Sequence, residues 1–271
     1  MNQGPLVSVL FVTYRRIHLL RRTVLSFLRN TNYPNLELVV TDDGSPKWMQ
    51  VEMRTLPIQK LVASRRNRGM GANTNAGLKQ CAGKYILQIQ DDWECQGPPP
   101  YLEQAVLLME AHPDIGLVQF CGADHRVDPE FRVRNLEAPD CYLIGRESRS
   151  SPLTHMVYSD RPHLKRKELA DYLGEYRERC RIGECELDYN ERFAKQSRFR
   201  GAFFPCYLNT VFNNTGEGES FRTSNWTLRL ENALVPIARR CKQRSPELFA
   251  RAKAIHHKTV QLLYRLSILH S

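Results

Sequence analysis

The sequence predicts an α/β fold built on a mostly parallel central sheet. Three observations carry that expectation. Short apolar runs recur through the first 120 residues, each ended by polar or turn-forming residues. Segments of roughly 10–15 residues with helical spacing lie between them. No internal repeat or low-complexity tract interrupts the alternation. Strands separated by helices imply right-handed crossovers rather than hairpins.

The elements follow in order. Leu6–Val12 (LVSVLFV) is a continuous apolar run, as expected of a strand covered on both faces. Arg16–Asn30 has helical spacing at Leu19, Leu20, Val24, Phe27 and Leu28. Leu36–Thr41 and Lys60–Ser64 read as the next two strands. Ala72–Cys81 reads as a helix stopped by Gly83, and Tyr85–Gln90 as a strand. Tyr101–Ala111 is a helix closed by His112-Pro113, and Ile115–Phe120 a further strand. Asp124 to about Asp160 is polar and irregular. Lys165–Arg179 is expected to be helical, and Arg200–Phe212 is β-rich but broken by Pro205. Two helical segments close the chain. In the second, Ser245 is the N-cap and Pro246 the first helical residue, with Leu248, Ala252, Ile255, Leu262, Leu263 and Leu266 roughly on one face.

Composition narrows the class. Hydrophobic residues make up 42% of the 271 and charged residues 25%, which excludes a disordered chain. No apolar run reaches the ~18 residues of a membrane-spanning helix. The N-terminus reads as a first strand rather than a signal peptide, so a cytoplasmic location is expected. The sequons at Asn213 and Asn225 are then incidental. Eight cysteines (Cys81, Cys95, Cys121, Cys141, Cys180, Cys185, Cys206 and Cys241) form no CxxC pair. They read as free thiols rather than a zinc site. The formal charge is +10. Nine Lys/Arg against two Asp/Glu between Thr227 and Ser271 put +7 of it in the tail. That block suits an anionic membrane or nucleic acid, and equally a solvated helix face.

In parallel α/β sheets ligands bind outside the carboxyl ends of the strands. Strand one ends in Thr13-Tyr14-Arg15, strand two in Asp42-Asp43-Gly44-Ser45, and the strand at 85–90 in Asp91-Asp92-Trp93-Glu94. Two carboxylate pairs thus share one sheet edge. Such crowding requires a cation or hydrogen-bond donors. A divalent metal held with a diphosphate is one compensator, because hard oxygen ligands suit magnesium and manganese. Each piece alone also has a plain structural reading. Asp-Asp-Gly-Ser is a common turn, Asp91-Asp92 a capping pair, and Asn67–Gly71 a loop.

Order and spacing together are more specific. VSVLFVTYRR, VVTDDGSP, NRGMGANTNAGLKQCAGKYILQIQDDW and HPDIGLV resemble the family 2 glycosyltransferases of the GT-A fold, over about the first 120 residues. GECELDYNERF and VFNNTGEGESFR match more loosely. The resemblance implies a Rossmann-like GT-A sheet flanked by helices, with a C-terminal helical extension. It implies a donor-binding half at 1–125, an acceptor-binding half at 126–226 and the basic extension at 227–271. Thr13, Tyr14 and Arg15 would line the nucleobase and ribose pocket. Asp42 and Asp43 would bond the base or ribose. Arg68 and Gly71 would lie beside base and phosphates, with Asn75 behind them. Asp91 and Asp92 match the metal-binding acidic motif, with Gln90 where many members carry an acid. Asp91 would face the ribose or sugar, and Asp92 would be the main metal ligand. Asn214 stands where the family often has a metal-binding His, which makes the strictness of the Mn2+ or Mg2+ requirement an open matter.

The implied chemistry is inverting transfer from a nucleotide-sugar, UDP-linked by preference, to a glycan, lipid or other hydroxyl. Metal between the phosphates would neutralise the leaving diphosphate. A carboxylate would take the acceptor proton. Glu186 fits that role best by its spacing from Arg192, with Glu184 and Asp188 as alternatives, against the plain reading of a charged amphipathic helix. A nucleotidyltransferase is the second hypothesis. It would carry a glycine-rich phosphate loop after strand one, where this chain has Thr13-Tyr14-Arg15-Arg16-Ile17. A non-enzymatic binding module is the third, and no interleaved basic–aromatic patch supports it.

Overall fold

The structure is a computed structural model. It describes residues 4–97, 100–120, 132–133, 141–144, 158–180, 182–203 and 211–216. The chain divides into Met1–Glu217 and Gly218–Ser271. Everything described belongs to the first unit, so the basic extension at 227–271, its helices and the sequon at Asn225 lie outside the described residues, as does most of 124–157.

The apolar runs become the centre of the sheet. β1 (Val7–Thr13) is buried at every position. It pairs in parallel with β2 (Leu36–Asp42) on one side and β4 (Tyr85–Gln90) on the other. β3 (Lys60–Ala63) extends the parallel edge beside β2. Beyond β4 lie β9 (His163–Arg166), β6 (Ile115–Gln119), β10 (Arg200–Phe203), β8 (Cys141–Ile144) and β7 (Arg132–Val133). Of the eleven described strands, nine form this sheet in the order β3-β2-β1-β4-β9-β6-β10-β8-β7. β5 (Trp93–Cys95) and β11 (Phe212–Asn214) form a separate antiparallel pair.

Helices cover both faces. On one, α1 (Ile17–Arg29), α2 (Lys47–Met53) and α4 (Tyr101–Ala111) pack Leu20, Val24, Phe27, Met53, Leu102 and Met109 against Val9, Phe11 and Ile89. On the other, α3 (Met70–Leu78) sits over Leu10, Val12 and Ile86. There α5 (Lys167–Leu173) and α6 (Ile182–Lys195) enclose a second core of Tyr158, Tyr176, Tyr189 and Phe193. The period-2 alternation of β1 sends Val9 and Phe11 to one core and Leu10 and Val12 to the other.

Two elements differ from expectation. The helix expected over Lys165–Arg179 starts later and stops earlier. Residues 163–166 are instead a strand, antiparallel to both β4 and β6. α5 ends at Gly174, whose φ of 76° is a helix-terminating conformation. The carbonyls on either side of it are claimed by Arg192, which donates to Leu173 O and, at 3.0 Å, to Glu175 O. α2 is a short helix that apolar spacing had not marked.

Among the described residues no helix is long and apolar enough to cross a membrane.

Candidate functional site

The site is assembled at the carboxyl ends of β1, β2 and β4, where parallel pairing sets three loops side by side. Asp43 N donates to Thr13 O at 3.2 Å, and Asp91 N to Val12 O at 3.1 Å. The two acidic pairs are therefore level, one on each side of β1.

Asp42 is fully buried and organises its own turn. Its carboxylate accepts from Ser45 N at 2.9 Å, from Ser45 Oγ, and from Gln50 Nε2 at 3.0 Å. Asp43 accepts from the backbone N–H groups of Arg68 (2.7 Å) and Gly69 (2.9 Å). It thereby fixes the loop leading into α3. Burial pushes the Asp43 carboxyl up, and those two N–H donors oppose the shift.

Asp91 is held on every side. Its Oδ2 accepts from Thr13 Oγ1 at 2.6 Å and from Arg16 Nε at 3.3 Å. Its Oδ1 accepts from Arg16 Nη2, and its carbonyl from Thr23 Oγ1 at 2.7 Å. Burial pushes the Asp91 carboxyl up to about 6, against the pull of Arg16 and Thr13. Asp92 Oδ2 accepts from Arg16 Nη1 at 3.1 Å. Among the described residues its Oδ1 is buried with no hydrogen-bond partner. Such an orphaned charged oxygen is costly unless something binds it.

The second small sheet closes over this point. Asn214 pairs with Trp93, and Thr215 N donates to Asp92 O at 2.8 Å. Asn214 Oδ1 accepts from Gly216 N at 3.0 Å. A Cβ at Gly216 would meet Asp92 Cβ at 2.3 Å, so only glycine fits against the acid.

Of the remaining expected residues, Arg15 is exposed and has a φ of 55°, with its N–H on Ser45 Oγ at 2.8 Å. Its guanidinium lies 5.3 Å from the Tyr14 ring centroid. Arg68 reaches Glu178 at 3.2 Å. Asn75 clamps Tyr176 in both directions, donating to its carbonyl (2.9 Å) and accepting from its N–H (2.8 Å). Gly71 lets the same segment approach, since a Cβ there would meet Arg177 O at 2.2 Å. Gly71 and Asn75 thus both brace residues 176–177 against α3. Arg68, Asn75 and Glu178 also line a shallow pocket beside α3.

The three candidate bases all lie in α6 but differ in setting. Glu186 Oε1 accepts from Ser159 Oγ and Asp160 N, each at 3.0 Å. The 158–162 loop it holds leads into β9, where His163 pairs with Gln88. Gln88 lies two residues before the end of β4. Asp188 is engaged by Arg192 at 2.8 Å. Glu184 is exposed.

Sequence reasoning missed Arg16, Thr23, Ser45, Gln50 and Gly216. Arg16 adjoins the flagged Thr13-Tyr14-Arg15 and was within reach. Ser45, three residues from Asp42, closes the Asp-Asp-Gly-Ser turn. Thr23 and Gln50 act across 68 and 8 positions of chain and Gly216 through its missing side chain, and spacing carries no sign of these three.

Asp92 Oδ1 is a hard oxygen ligand of the kind that suits Mg2+ or Mn2+. Those ions are commonly held by one or two carboxylates together with substrate phosphates and water. Among the described residues no three His, Cys, Asp or Glu converge as a protein-built cage. The residues therefore fit a cation shared with a diphosphate.

The comparisons agree with this architecture. The model of "Glycosyl transferase family 2" matches residues 8–173. Over 95 residues the chain is 28% identical to the GalNAc(5)-diNAcBac-PP-undecaprenol beta-1,3-glucosyltransferase of Campylobacter jejuni, covering 33% of this chain and 30% of that one. The chain spans about a third or less of the length of the curated relatives it matches. Mannosyltransferase PcManGT of Pyrobaculum calidifontis, solved with GDP-Man and Mn2+, superposes with a TM-score of 0.56 at 17% identity. That match covers 89% of this chain and 65% of the other. S. aureus TarS 1-349 with UDP gives 0.53 at 20% identity, covering 73% and 60%. The GT-A architecture expected from the sequence is the one found. With the family model spanning more than half its residues, the chain belongs to glycosyl transferase family 2.

Proposed function

We propose that the protein is an inverting glycosyltransferase. It moves a sugar from a nucleoside-diphosphate donor, UDP-linked by preference, to an acceptor hydroxyl of a glycan, lipid or other molecule. The observation that carries this reading is the carboxylate-lined edge beside β1, with one buried Asp92 oxygen unpartnered. Family membership and the GDP-Man and UDP complexes of similar folds support it.

In this reading the ends of β1 and β2 receive the nucleoside, through Thr13, Tyr14, Arg15, Asp42 and Asp43. Arg68 lies beside the phosphates, and Gly71 and Asn75 hold the wall behind them. Asp92, with Asp91 and Asn214 next to it, holds a divalent ion, Mn2+ or Mg2+. That ion supplies Lewis-acid neutralisation of the leaving diphosphate. Glu186, oriented by Ser159 and the Asp160 N–H, takes the proton from the acceptor hydroxyl as it attacks the anomeric carbon. The sugar–phosphate bond breaks on the opposite face, so configuration inverts. Glu184 and Asp188 are the alternatives for that base. Asp188 is already bound to Arg192, which favours Glu186.

The test is a panel of UDP-, GDP- and dTDP-sugars, assayed for donor hydrolysis with and without Mn2+. One donor should turn over, and Asp92→Asn should lower that turnover by at least 100-fold, a scale set by removing one transition-state charge contact. Full turnover by Asp92→Asn would sink the metal-site reading. The protein is further proposed to work in the cytoplasm, its basic tail holding it to an anionic membrane or acceptor. Salt-sensitive binding of the full chain to anionic vesicles checks this, with loss expected between 50 and 200 mM salt by analogy with polyanion binding.

A further inference from the structure

The Asp91–Asp92 pair already holds a cation, and it belongs to the protein. The Arg16 guanidinium spans both acids, with Nε and Nη2 on Asp91 and Nη1 on Asp92. Three of the four carboxylate oxygens are gripped, and among the described residues Asp92 Oδ1 alone is left without a partner. The Arg16 side chain is 16% exposed, so the grip is largely out of water. Its direction is set by backbone rather than by chance. Arg15 adopts a φ of 55°, rare for a non-glycine residue, and Ser45 Oγ holds its N–H. That turn points the next residue back across the end of β1.

We infer that Arg16 is a positioning residue that keeps free divalent metal off the site and admits it only together with a diphosphate. The inference rests on the metal-assisted reading above. A guanidinium does not deprotonate in proteins, so its charge is permanent. Two carboxylates and one guanidinium leave the cluster with a single negative charge. A lone dication would turn that into a net positive charge in a poorly solvated place. It would also sit on the same carboxylate as the guanidinium, where like charges repel strongly. A dication arriving with the two negative charges of a nucleotide-sugar diphosphate adds no net charge. The cluster therefore favours the neutral metal–donor pair over either ion alone. The orphaned Asp92 Oδ1 gives that pair its protein ligand, and the Arg16 grip on Oδ2 stays in place. The diphosphate itself supplies metal ligands, so the mark of Arg16 is the affinity for metal alone.

The experiment measures Mn2+ binding by the loss of its free electron paramagnetic resonance signal, on the full chain, with and without UDP or GDP. For the wild type, weak Mn2+ binding alone and at least tenfold tighter binding with the matching nucleotide are expected. Arg16→Gln should bind Mn2+ alone at least tenfold more tightly than wild type and lose most of the nucleotide-dependent gain. Its melting temperature should rise on adding Mn2+ alone, which the wild type should not show. Unchanged or weaker Mn2+ binding by Arg16→Gln would overturn the inference. If that variant does not fold, Arg16→Lys decides. Its ammonium lacks the fork that spans both acids, so Mn2+ alone must bind at least threefold tighter, and an unchanged affinity overturns it. Asp92→Asn separates the two ideas. If it keeps full Mn2+–nucleotide binding, the metal-site reading itself fails. If it loses that binding while Arg16→Gln behaves as wild type, only the role of Arg16 fails.

Discussion

Gly216 is a sharp test at the scale of single residues, because it touches Asp92 from a distant part of the chain. A methyl group there would overlap Asp92 Cβ and press on Oδ2. Gly216→Ala should therefore lower kcat/KM by at least tenfold, the order expected for an ångström-scale displacement of a working group. Thermal melting should shift by only a few degrees, since β11 is a short edge element. Collapse of stability with normal activity in the folded fraction would refute this. Gly71 carries a stability cost as well. Its α3 position faces the Arg177 carbonyl, so Gly71→Ala should cost about 1–3 kcal/mol in urea unfolding through overpacking.

Among the elements, β9 is the most informative. It runs antiparallel between β4 and β6 and carries a fully buried lysine. Lys165 donates to Gln88 Oε1 at 2.9 Å and Tyr176 OH at 3.1 Å. Its ammonium lies 5.2–5.8 Å from three tyrosine ring centroids. Burial pushes Lys165 down to about 7 from the ordinary 10.5, partly opposed by Asp160. The folded chain then binds fewer protons than the unfolded chain between those values, so stability rises with pH across that window. Below pH 7 both states are protonated and the penalty is complete. Buried Cys81, pushed up to about 11 from 9.0, adds a slope of the other sign above pH 9. Between pH 7 and 8.5 the unfolding free energy should therefore rise by about 1–2 kcal/mol. Lys165→Met should flatten the rise, as read from urea midpoints at constant m.

For the molecule as a whole, β1 is the strand on which the rest depends. It pairs on both sides, faces a core on each side, and ends at the site. Phe11 is fully buried and meets Phe27 edge-on at 5.8 Å. Phe11→Ala should cost about 3–5 kcal/mol. Because both cores share the strand, the loss should appear as one transition at the same denaturant concentration by circular dichroism and tryptophan fluorescence. Separate transitions would show that the two cores unfold independently.

Much of this was legible in the sequence, for a physical reason. The continuous apolar run at 6–12 suits a strand covered on both faces, and the apolar-rich segments at 36–41 and 85–90 read as its neighbours. Once parallel, their carboxyl ends must coincide, which brought Thr13, Asp42-Asp43 and Asp91-Asp92 together before any coordinates. Periodicity failed at 163–166, where HLKR has two buried charged residues and no apolar alternation. Its strand character comes from filling the gap between β4 and β6, a pairing no local signal encodes. Local spacing likewise marked the acids but not their partners. Arg16 on Asp91 is 75 residues away in sequence, and Thr215 on Asp92 is 123. The sequence by itself determined the order of strands and helices, the edge where the acids gather, and their family signature. Only the tertiary structure decided which carboxylate oxygens are spent on Thr13 and Arg16 and which one is left open, because hydrogen bonds are assigned by approach in space and not by distance along the chain.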